Sequence, residues 1–135
     1  MKLVRFALFA MLLGAVPAAV AQADRGDMVV EVPFAFTVGA EKLPAGHYIV
    51  RPESDVRVRI FNSQRRGVNV LTHAAHRTTS DGSKLVFHRY GDTYFLSGVW
   101  LTGNDTGREL FLSRAERALA DRQTEMELAV VRAPN

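Results

Sequence analysis

The chain has 135 residues, 47% hydrophobic and 23% charged, with a formal net charge of +3. That is the composition of one globular domain, too short for a second core and too apolar for disorder. It holds no cysteine, which excludes disulfide frameworks, thiol nucleophiles, thiolate-held metals and iron–sulfur clusters together.

The first residues read as an export signal. Lys2 and Arg5 form a positive n-region and Phe6 to Val16 is an uncharged apolar stretch. Ala19-Val20-Ala21 and Ala21-Gln22-Ala23 both fit the small-x-small cleavage rule. The expected division is a signal peptide over 1–23, cleaved after Ala21 or Ala23, and a single β-rich domain over 24–135. An uncleaved anchor is disfavoured, because the uncharged run from Phe6 to Gln22 is 17 residues long and Pro17 interrupts it. The mature chain is expected to be periplasmic or secreted, without a transmembrane span. Lys2 and Arg5 leave with the signal, so the remaining basicity gives no reason to expect a nucleic-acid partner.

From Met28 to Val38 every even position is apolar, a period of two that predicts a half-buried strand, at an edge or bent at Pro33. Leu43-Pro44-Ala45-Gly46 fits a type I turn, and further strands follow at His47 to Arg51, Val56 to Phe61 and Val68 to Thr72. Lys84 to Tyr90 and Thr93 to Leu101, separated by Gly91-Asp92, form the clearest hairpin. Both of its faces are apolar, which predicts a central strand pair or one covered by a helix.

Ser113-Arg114-Ala115-Glu116 is a capping-box pattern, in which serine and glutamate satisfy each other's open backbone donors. It starts a helix over about 113–122 with Ala115, Ala118 and Leu119 on one face, followed by a last strand through Met126, Leu128 and Val130. The expected fold is mainly β: a single antiparallel sandwich or a partly closed barrel with one short C-terminal helix.

Several short patterns resemble chemistry. Asp105-Thr106-Gly107 matches the tripeptide of aspartic proteases, but it lies in a polar run and reads as a turn. His73 and His76 are three apart, which in a strand sends them to opposite faces, and no third metal ligand stands near. His88 with a serine such as Ser97 lacks a nucleophile elbow and reads better as a cross-strand hydrogen-bond partner. Arg25-Gly26-Asp27 and the acceptor triplet Asn104-Asp105-Thr106 are short matches of low weight. No catalytic residue, metal or cofactor is expected.

The remaining lead is charge. From Arg51 to Arg89 eight lysines and arginines stand against Glu53, Asp55 and Asp81. Arg57, Arg59, Arg65, Arg66 and Arg77 are the candidate binding residues for an anion or partner, through the bidentate geometry of guanidinium. The alternative is that these charges only solubilise an outer strand face.

Val32-Pro33-Phe34-Ala35-Phe36-Thr37-Val38-Gly39 and Leu43-Pro44-Ala45-Gly46-His47-Tyr48-Ile49-Val50 resemble the opening of a group of small exported bacterial proteins of unknown function. Leu85-Val86-Phe87-His88-Arg89-Tyr90-Gly91-Asp92-Thr93-Tyr94-Phe95-Leu96 and Ser113-Arg114-Ala115-Glu116-Arg117-Ala118-Leu119-Ala120 agree with it. The resemblance implies export and a small β-rich domain, and no activity. The expected function is a non-catalytic binding or interaction module of the cell envelope, its partner an envelope protein, a polysaccharide or a small apolar ligand. One alternative is an apolar-ligand or lipid carrier lined by Phe34, Phe36, Phe87, Phe95 and Trp100; another is a hydrolytic enzyme.

Overall fold

The computed structural model describes residues 26–76, 82–102, 106–122 and 124–134. The predicted signal peptide, Arg77, Asn104 and Asp105 lie outside these residues.

Alternation becomes burial in the first strand, β1 (Met28–Val32), which buries Met28, Val30 and Val32 and exposes Val29 and Glu31. The strand does not run on to Val38. It stops before Pro33, which has no N–H for a ladder, and the chain enters a short hairpin of β2 (Phe36–Val38) and β3 (Glu41–Leu43). Gly39, at φ 60°, makes the turn between them. The chain then returns in β4 (Gly46–Pro52) to pair antiparallel with β1, Val30 opposite Tyr48.

β5 (Arg57–Phe61) and β6 (Gly67–His76) follow as an antiparallel pair. Their turn is organised by Asn62, whose Oδ1 accepts from the N–H groups of Gln64 and Arg66 at 3.0 Å each. β6 outruns the strand predicted over Val68 to Thr72 because it has two partners. Gly67 to Leu71 pair with β5, and Thr72 to His76 pair with β9 (Thr106–Leu110). β9 lies where the sequence predicted a polar turn, so Thr106 and Gly107 begin a strand instead. Thr72 stands at the changeover, with its N–H on the Val56 carbonyl at 2.8 Å and its hydroxyl buried without a partner.

β7 (Lys84–Tyr90) and β8 (Thr93–Trp100) form the predicted hairpin, and β10 (Glu127–Arg132) pairs with β7. The strand order is β1-β4-β5-β6-β9-β8-β2-β3, with β7 also on β8 and β10 on β7. Passing through β6, this ten-stranded sheet folds into two leaves. The front leaf holds β1, β4, β5 and the start of β6. The back leaf holds the end of β6, then β9, β8, β7 and β10, with the β2–β3 hairpin joined to β8.

The core lies between the leaves. Val50, Val58 and Ile60 from the front meet Leu85, Phe87 and Val99 from the back. Phe36 bridges them, edge-on to Tyr48 at 5.2 Å and to Phe87 at 5.5 Å. Each such side chain stabilises the fold by about 1.5–3 kcal/mol of apolar burial. The sheet is not closed into a barrel. β1 and β10 approach without pairing, and the cleft between them contains Pro33 and Pro134, neither able to donate to a ladder.

The helix α1 (Arg114–Asp121) starts at the predicted cap, Ser113, whose Oγ accepts from the Glu116 N–H at 3.1 Å. Only half of the predicted box is used, because the Glu116 side chain turns to the back leaf. Nor does the predicted alanine face dock: Ala115 and Ala118 are exposed, while Glu116 is buried and Leu119 half-buried. Among the described residues no helix is long and apolar enough to cross a membrane.

Candidate functional site

The basic residues divide. Arg57 and Arg59 alternate with buried Val58 and Ile60, so both face outward from the front leaf. The guanidinium of Arg59 lies 4.8 Å from the centre of the Phe61 ring and 4.0 Å from the Glu53 carboxylate. Its cross-strand partner Arg51 lies 5.2 Å from the same ring and holds Asp27 through Nε at 2.8 Å and Nη2 at 2.7 Å. Phe61 is thereby reduced to 8% exposure on an outer face. Two of the cations on this face thus act as an apolar roof, their stems and planes shielding a ring. Arg65 and Arg66 stand in the turn beyond Phe61, and Asp27 of the Arg25-Gly26-Asp27 triplet is the partner of Arg51.

Three of the four histidines, His73, His76 and His88, gather on the outer side of the back leaf, while His47 stands on β4 of the front leaf. His88 Nδ1 pairs with the Glu116 carboxylate, which also accepts from the Tyr90 hydroxyl at 3.1 Å. The partner of His88 is therefore the helix, not a neighbouring strand. Burial, and then the Glu116 carboxylate, hold the Tyr90 phenol above its usual range. Ser97 Oγ donates to the Val86 carbonyl at 3.1 Å. His73 lies 5.0 Å from the Phe111 ring, and His76 Nδ1 is 3.4 Å from Thr106 Oγ1. Although three apart, His73 and His76 line the same trough as His88, because β6 ends at His76. Among the described residues no group of three or more acidic or histidine side chains could hold a metal.

That trough crosses the outer face of the back leaf and has a volume of about 710 Å³. The registers show how it is built. Val130, Val86, Gly98, Glu109 and His73 fall in one row across β10, β7, β8, β9 and β6, a span of roughly 19 Å at the usual strand spacing. Gly98 leaves a dip in the middle. Trp100 lies back over two glycines: a Cβ on Gly107 would fall 2.3 Å from its ring, and one on Gly98 would fall 3.2 Å from its Nε1. Arg117 of the helix and the chain leading to it, Phe111 and Leu112, form the other wall. The rim is apolar and open to solvent, with Phe111 at 61% exposure and Leu128 at 66%.

The aromatic residues expected to line one ligand space are separated by the sheet. Phe36 and Phe87 are core, with Phe34 edge-on to Phe87 at 5.0 Å and stacked on Tyr94 at 3.7 Å. Phe95 packs against Tyr90 at 5.9 Å, and Trp100 lines the trough. The sequence offered none of Gly98, Gly107, Glu109, Phe111, Arg117 or Leu128 as a binding residue: Gly107 read as part of a turn and Leu128 as one position of a strand. The visible signal was the alternation of Met126, Leu128 and Val130, which marks a face without saying whether it is covered. Compared with known proteins, the chain matches no family model, no curated protein and no solved structure.

Proposed function

We propose that this chain is an exported, non-catalytic binding module of the cell envelope, and that its working surface is the outer face of the back leaf. One observation carries the reading: a ligand-sized trough whose rim exposes Phe111, Leu112 and Leu128 together. Contiguous apolar surface of that kind on a small domain marks contact with another molecule. Binding is favoured over catalysis because the Ser97 hydroxyl donates to the Val86 carbonyl and not to His88, so the two make no nucleophile–base pair. Export rests on the residues before Ala23, and the mass of protein recovered from the envelope fraction would report cleavage after Ala21 or Ala23.

A photo-crosslinking amino acid at Phe111, in the full chain exported by its own host, tests the surface. The expected result is one reproducible adduct that disappears when Leu128→Glu is added. The same adduct formed from an Arg57 position on the front leaf would count against it. The size of the trough also favours a second reading, a carrier of a small apolar ligand. Trp100 is the sole tryptophan and lines the trough, so ligand entry should change its emission, and an unchanged spectrum across a panel of apolar probes would remove that reading.

A further inference from the structure

Among the described residues β1, β3 and β10 are edge strands, each with one neighbour. An edge presents open N–H and C=O groups to any passing strand, so folded proteins blunt edges with brevity, charge or proline. β3 is three residues long and carries Glu41 and Lys42. β1 holds Glu31 on its exposed side and stops at Pro33. β10 differs: Leu128-Ala129-Val130-Val131 is an uninterrupted apolar run, and its charges, Glu127 and Arg132, stand only at the two ends.

We infer that β10 is a self-association edge, to which a second copy of this chain adds its own β10 antiparallel, continuing the back leaf across a two-fold axis. The strand is self-complementary in that direction. Directly opposed residues in an antiparallel pair share a face, so the outward Leu128 and Val130 must meet outward residues of the other copy. An axis through Ala129 sets Leu128 against the partner's Val130, and does so twice. Moving the axis to Val130 would instead set Leu128 against the partner's Arg132. The edge of β10 opens on a cleft of about 740 Å³, with Val130 and Val131 on one side and Val29 and Val30 on the other. The result would join two troughs into one surface, whatever each trough binds.

The absence of native cysteine makes the register directly testable. Ala129→Cys places one thiol per chain, and the two-fold axis sets it against its copy at a Cα separation of about 5 Å, within disulfide reach. The expected results are a dimer by sedimentation and rapid disulfide dimerisation of Ala129→Cys on mild oxidation. Ser63→Cys, in an exposed turn of the front leaf, should remain uncoupled. Val130→Lys, half exposed and outside the main core, should sediment as a monomer with an unchanged circular dichroism spectrum. A monomer at the highest soluble concentration, a dimer that survives Val130→Lys, or equal coupling at Ser63 would overturn the inference.

Discussion

On the front leaf the outward aromatic, Phe61, is closed over by Arg51 and Arg59, each turned toward a carboxylate of its own, Asp27 and Glu53. On the back leaf the outward Phe111, Leu112 and Leu128 stay in solvent around a trough. Both faces belong to one folded sheet and both carry apolar residues at outward positions. One completes its surface with its own cations, and the other leaves it to a helix that covers part. The difference teaches that a cluster of arginines, the more conspicuous feature in the sequence, can be a finished surface, while a plain alternation of Leu and Val marks the unfinished one.

The comparison breaks most sharply at the helix. Glu116→Ala removes the buried carboxylate that holds Tyr90 and His88, leaving buried polar groups without their partner; the expected cost is about 3 kcal/mol. Urea unfolding measures it, and faster tryptic cutting at Arg117 together with increased dye binding would show the back leaf laid open. Gly107→Ala comes next. Its methyl group would collide with the Trp100 ring, so the tryptophan must leave its bed, at about 1–3 kcal/mol of overpacking and with a shift in emission. Making the front resemble the back requires Arg51→Ala with Arg59→Ala, which should uncover Phe61, raise dye binding and cost about 1 kcal/mol. Thr72→Val, by replacing a buried hydroxyl without a partner, should stabilise by about 1 kcal/mol.

The smallest effect is alkaline. Burial holds the phenols of Tyr48 and Tyr90 above their usual range, so the folded state retains protons that the unfolded chain releases once pH passes about 10. Stability from these groups is therefore complete below that pH and declines above it, through the folded values. Tyr90→Phe should flatten part of the decline in a denaturation series, and an unchanged slope would remove Tyr90 from the account.

Strict alternation was legible where both layers demand it. Met28 to Val32 and the hairpin around Gly91-Asp92 appear as read, because each inward residue there is a large apolar one facing the opposite leaf. β9 was not legible, since Leu110 is its one large apolar residue and Gly107 matters for the room it gives Trp100. Glu116 was read as a capping residue from its distance to Ser113. Its actual partners lie 28 and 26 residues earlier, and no local pattern reveals that. The trough is a product of register: Val86, Gly98, Glu109 and His73 are unremarkable until four strands set them side by side.

The ends of the described chain meet. Asp27, Met28 and Val29 share one small cleft with Ala133 and Pro134, and the Ala133 N–H is tied to the Ser83 carbonyl at 3.0 Å. The fold is thus nearly a ring whose opening happens to fall between its first and last strands. Joined ends and a new opening at Gly91-Asp92 would yield a circular permutant with the same sandwich, and the order of the strands along the gene would be a matter of where the ring was cut.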